Sequence, residues 1–366
     1  MLTEEIDALE RLDNSKERLV ACADLATRAL DAGDPGVFAR AKSCEAKVAR
    51  FVGMHQHAVV ACAELMEVLP RVLALPEIDD TVERRVVWGL KYGAGSAMDL
   101  PEIPLATVRE LLAALGRVLV RFGKQPTSLW ELEARLAFIE GDADVLRDRV
   151  TKISPQISLT SHRQDYSDCP GCVLLQVAKW LGRDAPAEQV EAVLSPVFTK
   201  KPFPRDVPKQ ALYTLLYGDD AMCDHAKTWA PGLLARVYTR AGRLAEAKKQ
   251  AARAIAAAVE VEAELRVRAQ VVALEVALAA DDSKAVAAWV AEIDGGRAAL
   301  EDPYEELEAV VALHHGYARL DRPGELERLR AVATVLARRL DARLRAPRHE
   351  RETLAQLGAT SSTLAG

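Results

Sequence analysis

Residues 234–254 read LARVYTRAGRLAEAKKQAARA, with Gly242 near the middle. Leu234, Ala235 and Tyr238 precede that glycine by eight, seven and four residues, and Ala247, Ala251 and Ala254 follow it by five, nine and twelve. Apolar positions at three- and four-residue steps on both sides of a glycine predict two amphipathic helices joined by a tight turn. The alanines let the two helices cross closely. Leu234 and Tyr238 are large enough to fill the space toward a neighbouring unit.

The layout recurs with drift. Around Gly141, Trp130 lies eleven residues before the turn, Ala134 seven before and Leu146 five after. Around Asp321, Leu313 lies eight before, Tyr317 four before and Ala333 twelve after. Ala273 and Ala285 flank Ala280-Asp281 in the same way, and Gly33 and Gly182 fit more loosely. The turns near 242, 281 and 321 are about forty residues apart, a period typical of stacked helix pairs. Elsewhere the pattern is helical at 15–32 with Ser15 as N-cap, and a Gly33-Asp34-Pro35 turn leads into the next helix. Further helices are expected over 55–75, 79–92 and 105–122. Gly93, Gly95, Pro101 and Pro104 read as a loop, and 155–168 and 199–208 as irregular segments.

The Gly242 unit resembles a tetratricopeptide repeat, and the units at Gly141, Ala280 and Asp321 resemble degenerate ones. The resemblance implies an all-α fold, an α-α superhelix of stacked antiparallel helix pairs. It divides the chain into divergent N-terminal pairs over 1–125, repeat-like pairs over 126–345 and a partly disordered tail over 346–366. A solenoid of this kind presents a concave groove, which implies a peptide or protein partner. Residues expected to line that groove are Trp130, Lys179, Arg236, Arg240 and His315.

Composition narrows the function classes. The 366 residues are 50% hydrophobic and only 5% aromatic, so the core must be built from Ala, Leu and Val. The Ala-, Arg-, Leu- and Val-heavy usage is that of GC-rich bacterial chains. Net charge is −6, from 48 basic and 54 acidic residues, which speaks against a dedicated nucleic-acid binder. No apolar run is long enough to span a bilayer, and the N-terminus carries no secretory pattern, so a cytoplasmic location is expected. Six cysteines in such a setting are thiols or metal ligands rather than a disulfide framework. Cys22, Cys44 and Cys62 lie among Ala and Val and read as small buried hydrophobes.

One local motif carries chemistry. Asp168-Cys169-Pro170-Gly171-Cys172 opens a helical run, and a C-x-x-C pair can chelate zinc or form a reversible disulfide. Cys169 and Cys172 supply half of a tetrahedral zinc site, and Cys223, His225 and His162 are candidates for the rest. Reduced thiols packing a helix start are the plainer alternative. This segment, with Leu181-Gly182-Arg183 after it, resembles a recurrent segment of bacterial tetratricopeptide proteins, in which a Cys- and His-containing stretch follows. Here that stretch reads Pro204-Arg205-Asp206-Val207-Pro208-Lys209 and has neither residue.

Enzymatic motifs are missing. There is no P-loop, no nucleophile elbow and no H-E-x-x-H helix. His314 and His315 are adjacent on a helix and diverge by about a hundred degrees, so one is expected buried near Tyr317 and the other exposed. The sequence therefore points to a non-catalytic scaffold or adaptor, with a zinc-supported or redox-responsive regulator built on Cys169 and Cys172 as the alternative.

Overall fold

A computed structural model of the chain describes residues 2–124, 126–159, 178–179, 185–198, 224–259, 263–300 and 302–358. Among these residues there are only helices and turns. In chain order they are α1 (Leu2–Leu9), α2 (Lys16–Asp31), α3 (Pro35–Phe51), α4 (His55–Leu73), α5 (Asp80–Asp99), α6 (Leu105–Arg121), α7 (Thr127–Glu140) and α8 (Ala143–Leu159). Then come α9 (Ala187–Phe198), α10 (Asp224–Arg240), α11 (Leu244–Ala257), α12 (Ala263–Ala279), α13 (Ser283–Gly296), α14 (Pro303–Arg319), α15 (Pro323–Asp341) and α16 (His349–Gly358). Contacts divide the chain into two compact units, one of residues 1–149 with 161–167, the other of residues 150–160 with 168–366.

The hairpins share one local device. Gly33, Gly53, Gly123, Gly141 and Gly242 have positive φ, and so do Asp281 and Asp321, the two non-glycine residues in that region among the described residues. At each, the amide of the following residue bonds back five positions: Arg243 N–H to Tyr238 O at 2.9 Å, Asp282 to Ala277 at 3.0 Å, Arg322 to Tyr317 at 3.1 Å. This is the Schellman closure of a helix C-terminus. Where the following residue is Asp it also caps the next helix, as Asp34 does for Val37 N–H, Asp142 for Val145 and Asp282 for Ala285. At these three turns one residue closes a helix and its neighbour caps the next, so the connections are only two or three residues long.

In the second unit, α10 pairs with α11, α12 with α13 and α14 with α15. α10 also packs on α12, α12 on α14 and α14 on α16, so the first helices of successive pairs form a continuous row. The residues read from the sequence as the repeat positions around Gly242 are buried: the crossing residues Ala235, Ala247, Ala251 and Ala254, and the space-filling Leu234 and Tyr238. In the first unit, α3 packs on α2, α4 and α5, and α5 on α6 and α7.

Three expectations need correction. The glycines near 93 are not in a loop, because α5 continues through them to Asp99. A Cβ at Gly93 would overlap Cys62 of α4, and one at Gly89 would lie 2.6 Å from Ser43 Oγ and 2.7 Å from a Leu65 methyl. Their smallness lets α5 lie against α3 and α4. Both His314 and His315 are buried, at 7% and 8% exposure, because α14 is packed between α12, α13, α15 and α16. The irregular stretch expected from 155 is helical as far as Leu159. The other irregular stretch (199–208) and Gly182 lie outside the described residues.

Candidate functional site

The second unit carries a small cleft of about 70 Å³, open to solvent. Trp229, Gly232, Leu233 and Arg236 reach it from α10, Arg268, Ala269, Val271 and Val272 from α12, and Glu305 and Glu308 from α14. Thr228 of α10, Leu300 and Lys179 complete the lining. The apolar part is Leu233, Val271, Val272 and Leu300, set between charged side chains. The volume of the cleft is below that of a small-molecule pocket, but an open, mostly apolar concavity with a few placed polar groups can seat a side chain of a partner.

Its charges are arranged in pairs. Arg236 donates from Nε and Nη2 to the Glu275 carboxylate at 2.8 and 2.9 Å, and from Nη1 to Glu308 at 3.0 Å. One guanidinium thus joins α10, α12 and α14. Burial disfavours its charge, but the two carboxylates outweigh that and raise its pKa further above the usual arginine range. Arg268 pairs with Glu264 and Glu305. Its guanidinium carbon lies 4.7 Å from the Trp229 ring centroid, and Lys179 Nζ lies 5.7 Å from it, both at cation–π range. Thr228 breaks this pattern. It lines the cleft at 2% exposure, and its hydroxyl has no hydrogen-bond partner among the described residues. A buried hydroxyl without a partner is costly, which is a reason to look for an incoming group.

The sequence-predicted groove residues fall in several places. Lys179 and Arg236 line the cleft. Arg240 is exposed at the end of α10, and His315 is buried in α14. Trp130 is half-buried on α7, in the other unit. Cys169, Cys172, Cys223 and His162 lie outside the described residues. His225 is the second residue of α10, and its side chain lies outside them too. Among the described residues no three or more His, Cys, Asp and Glu side chains group to hold a metal ion.

Sequence reading missed Trp229, Arg268, Glu305 and Glu308. A register signal was available. Arg236, Glu275 and His315 each sit six residues before the left-handed residue of their turn, as do Lys47 and Arg135 in the first unit. Only α10, α12 and α14 of the second unit contribute that position to the row beside the cleft.

The first unit holds buried charge of its own. Asp99 receives Arg50 at 2.6 Å and Arg135, with His55 Nδ1 at 3.6 Å. Burial pushes its carboxyl up, but Arg135, Arg50 and His55 prevail and hold it well below the usual range. Burial alone pushes the Cys62 thiol up to about 12. Cys44 goes the other way, lowered by its contact with Cys22 and by the nearby Arg18, which donates a 3.1 Å N–H to its sulfur.

No family model matches the chain, and no curated protein matches it. No helix among the described residues is long and apolar enough to cross a membrane.

Proposed function

We propose that the chain is a non-catalytic interaction scaffold of tetratricopeptide type, working in the cytoplasm, that holds a peptide or protein partner in the cleft of its second unit. The observation that carries this reading is the row α10, α12, α14 with an apolar cleft along it and an unpartnered Thr228 hydroxyl in its wall. Helical rows of this kind receive extended or helical segments through alternate apolar and polar contacts. Support also comes from the pairing of Arg236 and Arg268. Each is already balanced by two glutamates. The cleft therefore favours a partner segment that is mainly apolar and carries few charges, since a strongly charged one would have to break existing pairs.

The test uses the full chain as bait against a displayed random-peptide library. Enriched peptides should be apolar at their centre. Their affinity should fall at least about tenfold on Trp229→Ala, the cost of one central aromatic contact. Thr228→Val should weaken them less, with the fold unchanged by circular dichroism. A library that yields no enriched peptide, or peptides indifferent to both substitutions, would remove the proposal.

A further inference from the structure

Lys47 on α3 differs from the other inner lysines of the first unit. Lys42 pairs with Glu45 and Glu64, Lys91 with Glu131 and Lys124 with Glu83. Lys47 Nζ lies 4.9 Å from the Trp88 ring centroid and makes no hydrogen bond or ion pair among the described residues. Its surroundings are cationic. Arg18, Arg40, Lys47 and Arg85 stand against two carboxylates, Asp7 and Glu10. Arg40 takes both of these, and Arg85 shares Glu10. The Cys44 sulfur offsets at most one charge of that excess. Arg18 directs its terminal nitrogens to the Leu12 carbonyl, Asn14 and Cys44. The Nε donors of Arg18, itself 5% exposed, and of Arg85 are buried without partners. Two free donors and a cationic excess leave the cluster suited to an added anion.

We propose that Lys47 is a carboxylation site, whose neutral amine adds carbon dioxide to form a carbamate held by Arg18 and Arg85. The amine lone pair attacks the carbon of CO₂. The N–C bond forms, one C=O electron pair moves onto oxygen, and the proton lost from nitrogen goes to solvent. The side chain ends as an anion, which lowers the positive excess of the cluster. The reaction needs the amine unprotonated, and the site supplies this. Burial, then Arg18 and Arg85, lower the Lys47 pKa to about 8, against the weaker opposing pull of Cys44 and Glu10. The charged groups facing Lys47 are Arg18 from α2, Arg85 from α5 and Glu10 just after α1. On α4, Glu64 is engaged with Lys42 and His57 with Glu45.

The test equilibrates the full chain with ¹³C-labelled bicarbonate near pH 8 and records the carbamate carbon by NMR. One resonance beyond any from the terminal α-amine is expected. It should vanish in Lys47→Arg and persist in Lys42→Arg. Trapping the wild-type carbamate with a trialkyloxonium reagent should place the added mass on the peptide containing Lys47, a readout that needs no folded variant. A wild-type spectrum without that resonance, a spectrum unchanged by Lys47→Arg, or a trapped mass on another side chain would each overturn the assignment.

Discussion

Asp321 and Asp281 occupy a backbone conformation that glycine fills at the five other turns, at φ 54° and 55°. An L side chain there is strained, although aspartate tolerates the left-handed region better than most. Asp281 is also paired with Arg319, which makes Asp321 the cleaner probe. Asp321→Gly should stabilise the protein by about 0.5 kcal/mol, and Gly242→Ala should destabilise it by about 1 kcal/mol. Thermal melts of both variants check this. A fall in melting temperature for Asp321→Gly would mean that the side chain contributes more than its backbone costs. These turns were legible in the sequence because the signal is local: a glycine or aspartate between two apolar stripes. The reading failed at Gly93 because the same residue serves there as a gap rather than a turn, and what fills a gap lies thirty residues away at Cys62. Gly93→Ala should cost about 2–3 kcal/mol by overpacking. Cys62→Ala should not rescue it, since the overlap includes the Cys62 Cβ as well as the sulfur.

At the scale of the helix, α14 and the α3–α5–α7 row respond to acid in different ranges. His314 and His315 are buried in α14, their rings 5.8 Å apart, and His314 Nδ1 has no partner. Burial lowers both pKa values from 6.5, and His315 and Arg330 add to the effect at His314. The folded chain thus resists protonation that the unfolded chain accepts. Their contribution is intact above about pH 6.5 and declines as pH falls toward the lowered folded values. The slope is up to about 1.4 kcal/mol per pH unit for each imidazole. Asp99 acts lower on the scale. Its carboxyl is depressed below 3.8, so the stability it lends is present above that value and is lost as pH falls through the folded one. Denaturant melts at pH 7, 6 and 5 should show the second unit weakening first, and His314→Gln with His315→Gln should flatten that slope. Asp99→Ala should cost about 2–3 kcal/mol at neutral pH, since it strands Arg50 and Arg135. Neither network was readable beforehand. The helical period places a residue on a face, but the partners of Asp99 come from α3 and α7, far away in sequence.

At the scale of the whole molecule, the repeat period foretold the continuous row of the second unit, because three turns about forty residues apart impose one register on α10, α12 and α14. The cleft was only half legible. Arg236 is in phase with its turn, whereas Trp229, Arg268 and Glu308 owe their positions to how neighbouring helices are set against each other, which no single period specifies. That asymmetry bears on where a partner should be felt. A segment seated in the cleft touches α10, α12 and α14, and their amides open through local unfolding that such contacts suppress. Hydrogen exchange of the full chain, with and without a library-selected peptide at saturation, should therefore slow in those three helices. It should stay unchanged in α2, α4 and α6, which belong to the other unit. Slowing confined to the first unit would place the binding face there, where Trp130 lies, and would leave the Thr228 hydroxyl as a purely structural cost. Slowing in both would require two contact surfaces per partner. Lengthening the peptide would then raise its affinity steeply, whereas a cleft-bound peptide gains nothing from added length once α10 to α14 are covered.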